Sequence, residues 1–226
     1  MATAEQRRED LVALYHEVRA CELCPLSATR TQAVFGAGNA DADLMFVGEA
    51  PGAQEDADGI PFVGRAGKLL NELLAENGLS RDDVFIANVL KSRPPGNRDP
   101  QPEEIEACKP YLYRQVELIE PTVICTLGNF ATKLLTGSST GITRVHGEPQ
   151  VHRIGARTVQ VFPIFHPAAG LRTPSVKELL RADFTKLPAL LAAGPPPQEG
   201  AMPAVADAGA AAPPEEPPAD QLGLFG

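Results

Sequence analysis

The chain has 226 residues, 43% of them hydrophobic and 22% charged, with a net charge of −9. That is a globular composition, long enough for one large domain or two small ones. No apolar run approaches the length of a membrane span, and the charged N-terminus lacks the apolar core of a signal peptide, so the expected compartment is the cytoplasm. Aromatic residues make up only 5% and tryptophan is absent, so aliphatic side chains must form most of the core.

Residues 5–20 carry the pattern of an amphipathic helix that ends at Cys21-x-x-Cys24. Residues 44–47 form a short apolar run, read as a buried strand, which empties into Gly48-Glu49-Ala50-Pro51-Gly52. Leu69, Leu70, Leu73 and Leu74 give residues 65–77 one apolar side, with Gly78 placed as a helix C-cap. A second strand over 84–89 leads into the Pro-rich loop 92–100, and Pro102-Glu103-Glu104 opens the next helix with acids in its first turn. A third strand covers 123–127, with Gly128 starting a helix. A fourth covers 159–165 and runs into His166-Pro167, and 175–191 reads as a closing helix. This alternation predicts an α/β fold, a three-layer α/β/α domain around a central, mainly four-stranded parallel sheet. Ligands of such sheets sit at the carboxyl ends of the strands. Here those ends bring 48–52, 88–98, 126–129 and 166–167 to one rim.

The four cysteines, Cys21, Cys24, Cys108 and Cys125, are candidates for one site, because reduced thiols in a cytoplasmic chain favour ligation over disulfides. Structural zinc usually takes two tight knuckles, and only one is present. Scattered single ligands suit a bulkier [4Fe-4S] cluster better. Cys125 also reads as a small buried hydrophobe in an apolar strand.

The global charge argues against nucleic acid, yet its distribution does not. Residues 194–226 hold five acids and no Lys or Arg, which leaves −4 for the rest. Basic residues cluster in loops: Lys91, Arg93 and Arg98, then Arg144, then Arg172. A local basic rim can bind a phosphate backbone.

Gly48-Glu49-Ala50-Pro51-Gly52, Gly59-Ile60-Pro61-Phe62-Val63-Gly64, Asn88, Arg93-Pro94-Pro95-Gly96-Asn97-Arg98 and Phe165-His166-Pro167-Ala168-Ala169 occur in that order. From about residue 21 to 191 the chain resembles the family 4, iron–sulfur uracil-DNA glycosylases. The resemblance implies an enzyme that flips deoxyuridine out of DNA and hydrolyses its N-glycosidic bond, leaving an abasic site for base excision repair. It implies that Phe62 stacks on uracil, that Asn88 reads its edge, and that His166 stabilises the departing anion. Ala50 would line the uracil site, and Glu55 would help to exclude the thymine methyl group. Glu49 would orient water or stabilise an oxocarbenium-like centre. Arg93, Arg98, Arg144 and Arg172 would meet DNA, with Leu171 as a wedge. Where the family has Lys-Cys-Arg, this chain has Lys91-Ser92-Arg93. Three completions of the cluster are open: Cys125 as replacement ligand, Ser92 through oxygen, or three thiolates alone. Cys125 is the expected ligand. The rival reading is a non-catalytic iron–sulfur module that binds uracil-DNA.

The expected organisation is a domain over 1–193, a disordered Pro/Ala/Glu-rich linker over 194–220 and a terminal peptide over 221–226. Gln221, Leu222, Leu224 and Phe225 resemble the peptide by which bacterial repair proteins bind the sliding clamp. The protein is expected to be a monomer in the bacterial cytoplasm, associated with the nucleoid, with no membrane partner.

Overall fold

The computed structural model describes residues 3–198. Helix α1 (Ala4–Arg19) leads through a 3-10 turn at Pro25–Ala28 to β1 (Ala37–Gly38) and β2 (Leu44–Gly48). Helices α2 (Ala53–Asp58) and α3 (Arg65–Glu76) precede β3 (Val84–Asn88), and α4 (Pro102–Ile119) precedes β4 (Val123–Leu127). Then come α5 (Asn129–Thr136), α6 (Ile142–Val145), the hairpin of β5 (Gln150–Ile154) and β6 (Arg157–Ile164), α7 (Pro167–Gly170), α8 (Pro174–Phe184) and α9 (Leu187–Ala192).

The sheet order is β1-β3-β2-β4-β6-β5. Strands β3, β2, β4 and β6 are parallel, as the alternating pattern predicts, while β1 and β5 add antiparallel edges. Every residue of β2, β3 and β4 is buried, which is why these strands read as unbroken apolar runs rather than alternating ones. The side chains divide between two cores. Met45, Ile124 and Val161 face α1, α4 and α5, packing on Leu14, Leu112 and Ala131. Phe46, Cys125 and Phe162 face the other way, onto Leu70 and Leu73 of α3 and Phe184 of α8. The result is a three-layer α/β/α arrangement.

Two boundaries differ from the sequence reading. The single closing helix is two, because Pro188 lacks an amide proton and sits in the first turn of α9, so the chain breaks after Phe184. The linker expected from residue 194 is also held at its start. Thr158 donates its amide to Gln198 Oε1 at 3.0 Å, and Gln198 Nε2 donates to the Thr158 carbonyl at 2.8 Å, so Gln198 is tied to β6. The terminal peptide falls outside the described residues.

Candidate active site

The loops after β2, β3, β4 and β6 enclose a cavity of about 600 Å³. Glu49, Ala50, Glu55, Phe62, Asn88, Arg98, His166 and Arg172 all line it, whereas Arg93, Arg144 and Leu171 lie outside the lining.

Asn88 closes β3 and is 2% exposed. Among the described residues its Oδ1 accepts no hydrogen bond, although it is fully buried. A buried acceptor left empty costs about 1–3 kcal/mol, so such an atom in a cavity is poised for a ligand donor. Gly48 pairs with Asn88 across β2 and β3. A Cβ on Gly48 would overlap Asn88 Oδ1 and come within 2.7 Å of the Phe62 ring, so glycine there lets amide and ring share one wall.

Phe62 is buried and has a φ of 52°, a left-handed conformation that costs a bulky residue about 1–3 kcal/mol. Its surroundings hold it there. Glu55 accepts hydrogen bonds from the amides of Val63 at 3.1 Å and Gly64 at 2.9 Å, and from Gly52 at 3.1 Å. Arg81 donates to the carbonyls of Pro61 at 2.7 Å and Phe62 at 2.9 Å. A Cβ on Gly67 would fall on the Phe62 carbonyl oxygen, so α3 can pass behind the ring only at glycine.

His166 caps α7, and its Nδ1 accepts the Ala168 amide at 3.1 Å. The neutral ring therefore carries its proton on Nε2. Burial in the pocket wall, aided by the Arg172 charge, pushes the imidazole down to about 4, so it is neutral at physiological pH. The His166 and Phe62 rings lie 5.6 Å apart and tilted by 30°. Glu49 follows β2, half-buried, and burial followed by repulsion from Asp99 raises its carboxyl to about 7. The cavity thus joins an aromatic platform, an empty amide acceptor, a neutral imidazole donor and a carboxylate that titrates near neutrality. That is a site for a flat, polar-edged ring and for a water-borne reaction beside it.

Residues 35–187 match the family model described as the uracil DNA glycosylase superfamily. The chain belongs to that superfamily. It is 47% identical over 184 residues to a type-4 uracil-DNA glycosylase of Sulfurisphaera tokodaii, covering 79% of this chain and 84% of that one. It is 50% identical to the type-4 enzyme of Archaeoglobus fulgidus, covering 79% and 92%. A type-5 uracil-DNA glycosylase of Pyrobaculum aerophilum is more distant, at 32% identity, covering 58% and 63%.

Two site residues of this superfamily member have structural duties that the sequence does not announce. Arg98 forms a two-pronged pair with the buried Glu104, at 2.9 and 2.5 Å. Glu104 also accepts the Gln101 amide at 2.8 Å, so the pair caps α4. The pairing fixes Arg98 at the cavity rim, where its side chain stays 39% exposed. Glu55 is likewise occupied by three amides. Arg144 and Arg172 stay exposed, Leu171 is 38% exposed, and Arg93 is partly buried, donating to Asn97 Oδ1 at 2.7 Å.

The cysteines divide. Cys108 on α4 faces the same core as Cys24, and its thiol feels Cys24 and Cys21 as close charges. Burial raises that thiol, while the Lys91 amide, donating to Cys108 Sγ at 3.4 Å, and the Lys91 charge oppose the rise. Tyr111 bonds to Cys21, and its hydroxyl is pushed up to about 12. Cys125 is elsewhere. It pairs with Phe46 and Phe162 on the opposite face of the sheet, fully buried among phenylalanines and leucines. The expectation that Cys125 completes the ligand set is overturned, because a β-sheet separates it from Cys108. Ser92 is nearer the set: it follows Lys91 in the chain, is 3% exposed, and its Oγ accepts from Arg30 at 3.2 Å.

Among the described residues no three His, Cys, Asp or Glu are grouped tightly enough to hold a single metal ion. Three thiols converging from two segments fit the wider spacing of an iron–sulfur cluster, and soft sulfur donors suit iron. Lys91 ties this region to the cavity: its buried ammonium donates to the Asn88 carbonyl at 2.8 Å and to Gln115 Oε1 at 2.7 Å. Lys91, read from the sequence as part of a basic rim, is instead 2% exposed and acts as an internal strut, while Arg81 acts through main-chain carbonyls and no motif marks it.

Proposed function

We propose that this chain is a uracil-DNA glycosylase that releases uracil from DNA and leaves an abasic site. The observation that carries the reading is the empty Asn88 Oδ1 beside Phe62 and the Nε2–H of a neutral His166. Uracil stacked on Phe62 gives its N3–H to Asn88 Oδ1 and takes the amide's own N–H at O4. A flipped base reads this way because stacking and edge bonds replace those lost from the duplex. As the N1–C1′ bond breaks, its electrons pass into the uracil ring and collect at O2, where His166 Nε2–H stabilises them. The carboxylate of Glu49 orients the water that adds to C1′, and the water's proton ends on the released uracil. Glu55 shapes the loop that bars the thymine methyl group, and Ala50 lines the wall without carrying the chemistry.

Arg93, Arg98, Arg144 and Arg172 meet the phosphates, and Leu171 fills the gap left by the flipped base. A [4Fe-4S] cluster is held by Cys21, Cys24 and Cys108, with the Ser92 hydroxyl as the remaining oxygen donor. When bound, it cross-links the N-terminal segment to α4 and the loop after β3. The protein acts as a monomer in the bacterial cytoplasm, at the nucleoid. The terminal peptide, Gln221, Leu222, Leu224 and Phe225, docks on a sliding clamp, since an apolar cluster on a Pro/Ala-rich tether suits a hydrophobic groove. Leu224→Ala with Phe225→Ala abolishes clamp affinity in a titration of the full chain; undiminished affinity removes this partner. The activity itself is tested with a uracil-containing oligonucleotide, followed by alkaline cleavage at abasic sites.

A further inference from the structure

We infer that Arg81 is a positioning residue for uracil release, fixing the backbone of Phe62 from outside the cavity. The inference rests on the reading of Phe62 as the stacking platform. Arg81 lies between α3 and β3, beyond every motif of the rim, in a turn built by Ser80 and Asp83. Its guanidinium is half-buried and spends its donors on the Pro61 and Phe62 carbonyls, with Asn71 Oδ1 at 3.4 Å. These carbonyls bound Phe62 on both sides. Successive carbonyls point the same way only when the residue between them is helical, left- or right-handed, and a planar fork matches such a pair. The peptide plane after Phe62 is gripped at both ends, its oxygen by Arg81 and its N–H, on Val63, by Glu55. Opposite charges therefore hold both backbone dihedrals of one residue in a conformation that phenylalanine avoids by itself. A loop that merely needed to be stable would relax Phe62 out of the left-handed region. Holding it there aims the ring across Gly48 toward Asn88 and His166.

The test compares full-length wild type, Arg81→Lys, Arg81→Ala, Phe62→Ala and the double variant Phe62→Ala/Arg81→Ala on a uracil-containing single-stranded oligonucleotide. Lysine keeps the charge but cannot fork two carbonyls, and it guards against a variant that fails to fold. We expect kcat to fall by roughly 10- to 100-fold in Arg81→Ala and less in Arg81→Lys, since small misplacements of a binding element carry such losses. KM for the oligonucleotide and affinity for abasic-site DNA stay near wild type, inhibition by free uracil weakens in step with kcat, and millimolar guanidinium partly restores Arg81→Ala. In the double variant, loss of Arg81 adds nothing to the loss of Phe62. Wild-type kcat and uracil inhibition in both Arg81 variants overturn the inference, as do additive losses in the double variant. So does a kcat loss that is matched by equal losses of abasic-DNA affinity and thermal midpoint. If Phe62→Ala itself keeps full kcat, the platform reading fails together with the Arg81 role. If Phe62→Ala is impaired and the Arg81 variants are not, only the Arg81 role fails.

Discussion

Asn88→Ala removes the acceptor that the cavity leaves empty, and kcat/KM for uracil excision falls by roughly 10²-fold or more, because a binding site is left without its polar partner. Steady-state kinetics against wild type measures it. Glu49 gives a pH prediction. Its carboxyl titrates at about 7 in the folded protein against an ordinary 4.5, and the ionised form is the one that orients water. Log kcat/KM therefore rises with pH up to about 7 and then levels, and Glu49→Gln flattens the profile while lowering the plateau by roughly 10²-fold. His166, held near 4, contributes no inflection around 6.5. A raised carboxyl favours the folded state while protonated, an advantage complete below about 4.5 and lost as pH rises through about 7. Glu49→Gln thus raises the thermal midpoint at pH 8 relative to wild type more than at pH 5. An acid limb that persists unchanged in Glu49→Gln removes Glu49 from the mechanism.

At the scale of elements, strand alternation decides which cysteines can meet. The register Phe46↔Cys125↔Phe162 puts all three side chains on the face covered by α3 and α8, while Cys108 sits on α4 beneath the other face. Cys125→Ala therefore retains full iron and sulfide and loses about 1 kcal/mol of stability from the small void, whereas Cys108→Ala loses the cluster absorbance. Iron analysis with an optical spectrum distinguishes them, and iron loss in Cys125→Ala reverses the assignment. Which face a central-strand residue takes is not readable from an unbroken apolar run, because burial on both faces erases alternation. For the same reason the four parallel strands were legible as apolar stretches ending in polar loops, while the two-residue β1 and the half-exposed β5 were not. Gly67 shows the other limit. Its need is set by the Phe62 carbonyl, five residues away in sequence but folded back against α3, and local pattern carries no trace of it.

For the whole molecule, the rim was legible because four strand ends each carried a marked loop, and the fold could only gather them on one edge of a parallel sheet. The connections between its two working regions were not. Lys91 bridges the Asn88 carbonyl and Gln115 while its amide meets Cys108 Sγ, so the cysteine region and the cavity end of β3 share one buried residue. Such a residue looks like surface charge in a sequence and becomes a strut only when burial is known. Hydrolysis in this cavity, as opposed to mere retention of a flipped base, is decided by single-turnover incubation of the full chain with a uracil-containing oligonucleotide, reading free uracil and alkali-labile sites together. The predicted result is release of one uracil per site by wild type, sharply slowed in Asn88→Ala and His166→Ala. Tight binding of the oligonucleotide by wild type, with no uracil released at stoichiometric protein, would contradict it.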